Sequence, residues 1–418
     1  MSSVYYYGQD GLPVTDELIN LFGLGSKEYR YSDKLEKNVF DFVGFVFREG
    51  KTLVVFPKHY YERSDIRGFN TAHAELHSDM RLLFSVIQRY REKEGSRATG
   101  KSYMGSQDGY DSDYPFKAFY EVYRYFQNYG LYKVQNNCIV QGTKGKIAWK
   151  ETLSKSNKII SNGNLIFSPF YIKKKKFKDE FLTECMAFVI DFTIDQFRDF
   201  LNLKKTGFKY KFDFIKNREY VLRQLKTYQS YEFKDINKKL VKSMIVFFEQ
   251  YSNKTYGGNS HVRIRYFDMI WQKMMMSYIN RHFVDVDKST GAAIFDVRQN
   301  KSVVTFRSVT FSDIDLSFHG YCIDVDHTAF DNGKLFIFDS KYYSEVTELN
   351  YKQFSYNELL RDYYPGTSEI YNILFLPGKY SVKEHFKYNP RYVGSRKIGT
   401  RIIEQYMLPK HIMQDYLQ

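Results

Sequence analysis

Tyr321-Cys-Ile-Asp324-Val-Asp326-His-Thr-Ala-Phe-Asp331-Asn332-Gly333-Lys334-Leu-Phe-Ile-Phe-Asp339-Ser340-Lys341-Tyr-Tyr343 is the stretch on which the reading of this 418-residue chain turns. Asn-Gly between two alternating apolar runs signals a two-residue type I′ hairpin turn. In that register 331 lies opposite 334, 326 opposite 339, and 324 opposite 341. Paired residues, and residues two apart, share a face. Asp324, Asp326, Asp339 and Lys341 are therefore expected on one face, with Ile323, Val325, Phe336 and Phe338 turned into the core from the other. Two acids directly across a ladder repel each other. A divalent cation between them removes that conflict, and hard oxygen ligands suit Mg²⁺, with Mn²⁺ as a substitute. A bound metal acidifies a water and stabilises charge on a phosphate oxygen. Lys341 beside it can stabilise the charge that develops there or orient the attacking water. Two readings stay open: a metal-assisted phosphodiesterase centre, or a solvated acidic hairpin with a compensating lysine. A bulge would shift the register and make Asp324 the ligand instead of Asp326.

Downstream, Tyr351 to Arg361 reads as a helix, with Gln353 and Tyr356 three residues apart on one face. They either hydrogen-bond a DNA phosphate or base edge, or pack on the sheet. Upstream, Arg265 to Met276 reads as a helix whose methionines fill a core. Earlier still, residues 40–57 contain two apolar runs around Arg48-Glu49-Gly50-Lys51, a hairpin that ends at Pro57. A helix is expected from Asn70 to Lys93 and another from Pro115 to Asn128. Residues 94–113 look like an exposed loop. Its Asp108, Asp111 and Asp113 lack the twelve-residue calcium pattern. Gly142 to Lys150 is not a phosphate-binding loop of the GxxxxGK[ST] type. The run Lys173, Lys174, Lys175 and Lys176 is either a solvated strand end or a set of phosphate contacts that position without reading sequence. Helices over 179–203 and 214–230 and a linker near 231–236 suggest a division into 1–235 and 236–418, with a subdivision near 95–115.

Composition narrows the class. The net charge of +14 favours a polyanionic partner, although a bias toward Lys, Asn, Ile, Tyr and Phe produces it as well. The 38 Tyr and 37 Phe include candidates for base stacking, while most must be core. No apolar run approaches the ~20 residues of a membrane span. Cys138, Cys185 and Cys322 are far apart and suggest no disulfide framework and no zinc site, and the first residues do not read as a signal peptide. A cytoplasmic location is expected.

Val325-Asp326 followed by Phe338-Asp339-Ser340-Lys341-Tyr342-Tyr343 resembles the D…D-A-K-Y-Y signature of McrC-like nuclease subunits, and most closely the LlaJI-type restriction endonucleases. Gly44 to Tyr60, Gly142 to Lys155, Ile270-Trp271 and Lys352-Gln353 are similar to further segments of that family. The resemblance implies a mixed α+β protein: a C-terminal PD-(D/E)xK restriction-endonuclease-like mixed sheet flanked by helices, and an N-terminal α+β domain that contacts a partner. It implies Mg²⁺ on Asp326 and Asp339, with Lys341 completing the site. It also implies cleavage of foreign double-stranded DNA in antiphage defence, with a separate McrB-like AAA+ GTPase and, in the same system, DNA methyltransferases. Val325 replaces a frequent Pro, and Ser340 replaces Ala with its side chain expected to face away from the metal. Gln272 stands where the family usually has Glu, so a third carboxylate is missing. The alternatives are a nuclease of this fold that works alone, in repair or as an effector, and an adaptor whose site has decayed.

Overall fold

A computed structural model describes the chain except for residues 1–3, 63–73, 96–109, 179, 252–259, 313, 315–321, 350, 390 and 392–400. Its contacts group into two compact units: Met1–Asp113 with Lys254–Gln418, and Tyr114–Asn253.

The first unit holds a five-stranded sheet. β1 (Val4–Gln9) lies parallel to β5 (Lys51–Phe56), and β5 forms a hairpin with β4 (Val43–Arg48). The turn residues Glu49 and Gly50 take φ of 50° and 76°, the left-handed pair that a type I′ turn requires, as the sequence suggests. β6 (Tyr110–Ser112) and β12 (Ser260–Ile264) complete the order β1-β5-β4-β12-β6. The small β2 (Tyr29–Ser32) and β3 (Lys37–Phe40) pair beside it, after α1 (Asp16–Phe22). α2 (Ala74–Gly95) buries Met80, Leu83, Phe84 and Ile87, the apolar stripe of its sequence, and Phe84 meets Phe45 of β4 edge-on. The start expected for this helix at Asn70 lies outside the described residues, as does Asp108. Asp111 belongs to strand β6, not to a loop, because it pairs with Arg263 across the ladder.

The same unit holds a mixed six-stranded sheet in the order β15-β16-β17-β18-β20-β19. These are β15 (Arg307–Phe311), β16 (Ile323–Asp331), β17 (Lys334–Ser340), β18 (Glu369–Pro377), β19 (Ser381–Lys387) and β20 (Arg401–Met407). β17, β18 and β20 run parallel. A parallel neighbour requires a crossover, and α9 (Tyr351–Tyr363) provides it between β17 and β18. Its Tyr356 and Leu360 pack on Leu335, Ile337 and Val325. Toward the other side, α8 (Phe267–His282) packs on β17. Its Trp271 is fully buried and donates from its indole nitrogen to the Phe375 carbonyl at 3.2 Å. β13 (Phe283–Val286) and β14 (Ala293–Phe295) form a short ribbon, and Phe283 meets Phe336 and Phe338. The C-terminal helix α10 (Pro409–Tyr416) is tied to α8 through Asp415, which accepts from His282 Nε2 at 2.7 Å and pairs with Arg281 at 2.9 Å. A mixed sheet flanked by helices is the architecture that the resemblance implies.

The second unit is mainly helical. α3 (Phe116–Tyr129), α5 (Phe181–Gln196), α6 (Arg218–Tyr231) and α7 (Asp235–Gln250) pack on one another. α5 is apolar around most of its circumference and correspondingly buried. The core is aromatic, with Phe188 stacked on Phe214 and Phe248. β7 (Val134–Gln141), β11 (Tyr171–Lys178) and β8 (Lys146–Ile147) form a small sheet, α4 (Trp149–Lys155) follows β8, and β9 (Asn157–Ser161) and β10 (Asn164–Ser168) form a separate hairpin. Residues 232–234 are only a turn between the packed helices α6 and α7. The chain therefore does not part near 236: it leaves the first unit after Asp113 and returns near Lys254. Among the described residues, no helix is long and apolar enough to cross a membrane.

Candidate active site at the end of the β16–β17 hairpin

Asn332 and Gly333 turn the chain with φ of 48° and 77°, and the ladder runs from Asp331↔Lys334 to His327↔Phe338. This is the register read from the sequence, and it leads Asp326 toward Asp339. The pairing with β15 adds a feature that the sequence left open. It passes from Arg307↔Thr328 to Val309↔Val325, so Asp326 and His327 together lie opposite the single residue Ser308. Such a bulge re-aims side chains. One consequence corrects the expected faces: Val325 packs with Leu335 and Ile337 against α9, not with Phe336 and Phe338.

Asp326, Asp339 and Lys341 meet. The two carboxyl groups are in hydrogen-bonding contact. Lys341 Nζ lies 2.7 Å from Asp339 Oδ2, and Asp339 is only 1% exposed. Asp326 Oδ2 accepts from the Ser340 backbone N–H at 3.1 Å, and Asp326 Oδ1 accepts from Gln272 Nε2 at 2.5 Å. Burial, then the Asp339 carboxyl, push the Asp326 carboxyl up to about 8. Burial works against the Lys341 ammonium, but Asp339 and then Asp326 outweigh it and hold its pKa above the ordinary lysine value. The backbone of Lys341 extends the parallel ladder by donating to Phe375 O at 2.9 Å, which keeps its side chain at the end of β17.

The other expected residues divide. Asp324 is exposed and its carboxylate accepts from Thr310 Oγ1 at 2.6 Å, so it stands outside the trio. Tyr356 donates its hydroxyl to the Asp324 carbonyl at 2.7 Å. Gln353 is fully buried and its amide donates to Ile337 O and Asn372 Oδ1 at 3.3 and 2.6 Å. These two side chains bind α9 to the sheet, and Gln353 presents no surface to DNA: a helix crossing directly over a central strand has its facing side sealed. Lys173 and Lys174 are exposed on β11 of the second unit. Lys175 and Lys176 continue that strand opposite Asn137 and Asn136, and their side chains lie outside the described residues.

Several contributors were not singled out by sequence reasoning. His327, fully buried, bonds through Nε2 to Ser340 Oγ at 2.7 Å, and burial pushes its pKa down to about 4. Ser340 does face away from the acids, as expected, yet its N–H holds one of them. Beyond Lys341, the Tyr342 hydroxyl accepts from the Lys58 N–H at 2.8 Å and bonds to Asp10, while Lys58 Nζ lies 4.6 Å above the Tyr342 ring. A cavity of about 1240 Å³ opens there, lined by Asp10, Lys58, His59 and Tyr343 among others, but not by Asp326, Asp339 or Lys341. Its size is therefore no guide to the chemistry. The only clue in the sequence was the pattern of apolar neighbours around these positions, which does not mark a functional residue.

No family model matches the chain, and no curated protein does. A chain of the Thermococcus gammatolerans assembly of McrB AAA+ hexamers with bound McrC aligns over 99% of this chain and 98% of its own length, with 9% identity and a TM-score of 0.38. A likeness that faint carries no weight for fold or chemistry, and both rest on the geometry above.

That geometry fits a hard divalent cation. Two carboxylates with water completing the shell are a usual Mg²⁺ donor set. Burial first and the adjacent Asp339 second disfavour the ionised Asp326 carboxyl, and a cation between the two acids would offset both. Among the described residues, no group of three or more His, Cys, Asp or Glu is placed to hold a metal ion.

Proposed function

We propose that this chain is the DNA-cutting subunit of a restriction system: a Mg²⁺-dependent, McrC-like endonuclease that hydrolyses phosphodiester bonds of foreign double-stranded DNA together with an McrB-like AAA+ GTPase in the cytoplasm. The observation that carries the reading is the convergence of Asp326, Asp339 and Lys341 at the open end of one hairpin. Holding two acids in mutual contact, one of them only 1% exposed, costs stability, and a fold keeps such a cost where the pair has work to do. Asp326 and Asp339 would hold the cation. When bound, it supplies Lewis acidity toward a phosphate oxygen and a more acidic water. Ser340 N–H and Gln272 fix the Asp326 carboxylate in one orientation. Lys341, held protonated by its acids, places a fixed positive charge where a phosphate accumulates negative charge in the transition state. The net charge of +14 draws the polyanion to the protein.

The second unit offers a surface for the partner. The β9–β10 hairpin, turned at Asn162-Gly163, pairs Ile160 with Leu165 and Ile159 with Ile166. All four are exposed, Ile160 by 80%. A two-stranded ribbon that is apolar on both faces is poorly stable in water and calls for a protein that encloses it. This favours a nuclease that works in a complex over one that works alone.

A plasmid cleavage assay with Mg²⁺ and a candidate GTPase tests the proposal. Asp339→Ala and Lys341→Ala are each expected to lower cleavage at least 10³-fold, with DNA binding and complex formation retained. Cleavage by either variant at the wild-type rate would remove the catalytic assignment and leave a basic adaptor.

A further inference from the structure

Gln272 bears on how many cations the centre can take. Trp271, buried and bonded to the Phe375 carbonyl, sets the rotation of α8 and so delivers the next side chain to Asp326. Gln272 Nε2 then donates to Asp326 Oδ1, while Ser340 N–H donates to Oδ2. Each Asp326 oxygen thus has one lone pair already committed. The Asp339 Oδ2 atom lies against the Lys341 ammonium. With both acids ionised, as ligands to a cation must be, the trio carries two carboxylates and one ammonium, a net charge of minus one. One divalent cation takes it to plus one. A second would take it to plus three around a carboxylate that is 1% exposed, where solvent screens the excess poorly.

Resting on the nuclease reading of this site, we propose that Gln272 restricts the centre to a single divalent cation. It supplies a neutral donor at a position on α8 where a third carboxylate would touch Asp326. A glutamate there would face Asp326 with an acceptor in place of a donor. Three acids in contact repel one another, and the arrangement becomes tolerable once a second cation joins them. Gln272 therefore determines metal stoichiometry and holds Asp326 through the same hydrogen bond.

The test is direct titration of the full-length chain with Mn²⁺ alone, followed by calorimetry and by the electron paramagnetic resonance signal of bound Mn²⁺. Asp339→Ala serves as the baseline for adventitious surface binding. The expected result is one ion per chain above that baseline for the wild type and for Gln272→Ala, which removes the donor and adds no charge. Two ions are expected for Gln272→Glu. If Gln272→Glu is unfolded without metal, recovery of its far-ultraviolet circular dichroism on adding two equivalents of Mn²⁺ supports the proposal, and failure to recover counts against it. Two ions in the wild type, or one in folded Gln272→Glu, would overturn it. No ion above baseline in the wild type would instead remove the metal reading of Asp326 and Asp339 itself, so the two failures are distinguishable.

Discussion

Ser340 serves two strands at once. Its backbone N–H holds the Asp326 carboxylate, and its hydroxyl bonds to His327 Nε2 on the opposite side. His327 is fully buried, and its other ring nitrogen has no hydrogen-bond partner among the described residues. Ser340→Ala keeps the backbone donor but leaves the imidazole without its bond. An unsatisfied buried polar group costs roughly 1–3 kcal/mol. The urea midpoint of Ser340→Ala is expected to fall accordingly, and a midpoint equal to the wild type would show the bond to be energetically idle. At this scale the sequence was legible where charge was anomalous. Asp339 and Lys341 announce themselves because a strand interior rarely carries an acid and a lysine two apart. His327 carries no such signal, since a histidine among apolar residues looks the same in a core and in a site.

At the scale of elements, the hairpin turn and its register follow from Asn332-Gly333, because only a left-handed pair closes a two-residue loop with the right twist. The bulge at Asp326 and His327 does not follow from that hairpin. It comes from pairing with β15, the strand that precedes β16 in the chain and whose register no turn motif fixes. The β6–β12 ladder shows a long-range effect. His261 Nε2 lies 3.3 Å from Asp111 Oδ1, and its Nδ1 lies 3.3 Å from Asp113 Oδ2. Burial lowers its pKa, but Asp113 and Asp111 outweigh that and raise it above the ordinary value of 6.5. A histidine whose folded pKa is raised stabilises the native state most below the unfolded value. That stabilisation disappears as pH climbs past 6.5 and through the folded pKa. The difference in thermal midpoint between the wild type and His261→Gln is therefore expected to be largest near pH 6 and to shrink by pH 9. A difference independent of pH would show that the imidazolium contributes nothing.

At the scale of the molecule, the decisive feature is discontinuity. β12, encoded after the helical unit, pairs with β4 and β6, encoded before it. A fragment beginning at 236 would lose those partners, together with Lys58 and Asp10, which hold Tyr342. We expect fragment 236–418 to lack a cooperative thermal transition. A chain in which Tyr114–Asn253 is replaced by a short Gly/Ser linker should melt cooperatively and still bind Mn²⁺, yet fail to co-elute with the GTPase partner because it lacks the β9–β10 ribbon. A cooperative fragment 236–418, or co-elution of the deletion variant, would contradict this organisation.

Local order in the sequence determined the Glu49-Gly50 and Asn332-Gly333 hairpins, the amphipathic helices and the approach of two acids and a lysine. Each depends on spacing within a few dozen residues, where side-chain periodicity and turn chemistry act directly. Only the tertiary structure decided the rest: that Asp326 joins the trio while Asp324 does not, that Gln353 seals α9 onto the sheet, that Gln272 and Ser340 hold Asp326 between them, and that two distant stretches of chain build one unit. Those outcomes depend on which strand lies beside which and which faces become sealed. That is a competition among long-range pairings whose burial energies no single segment contains.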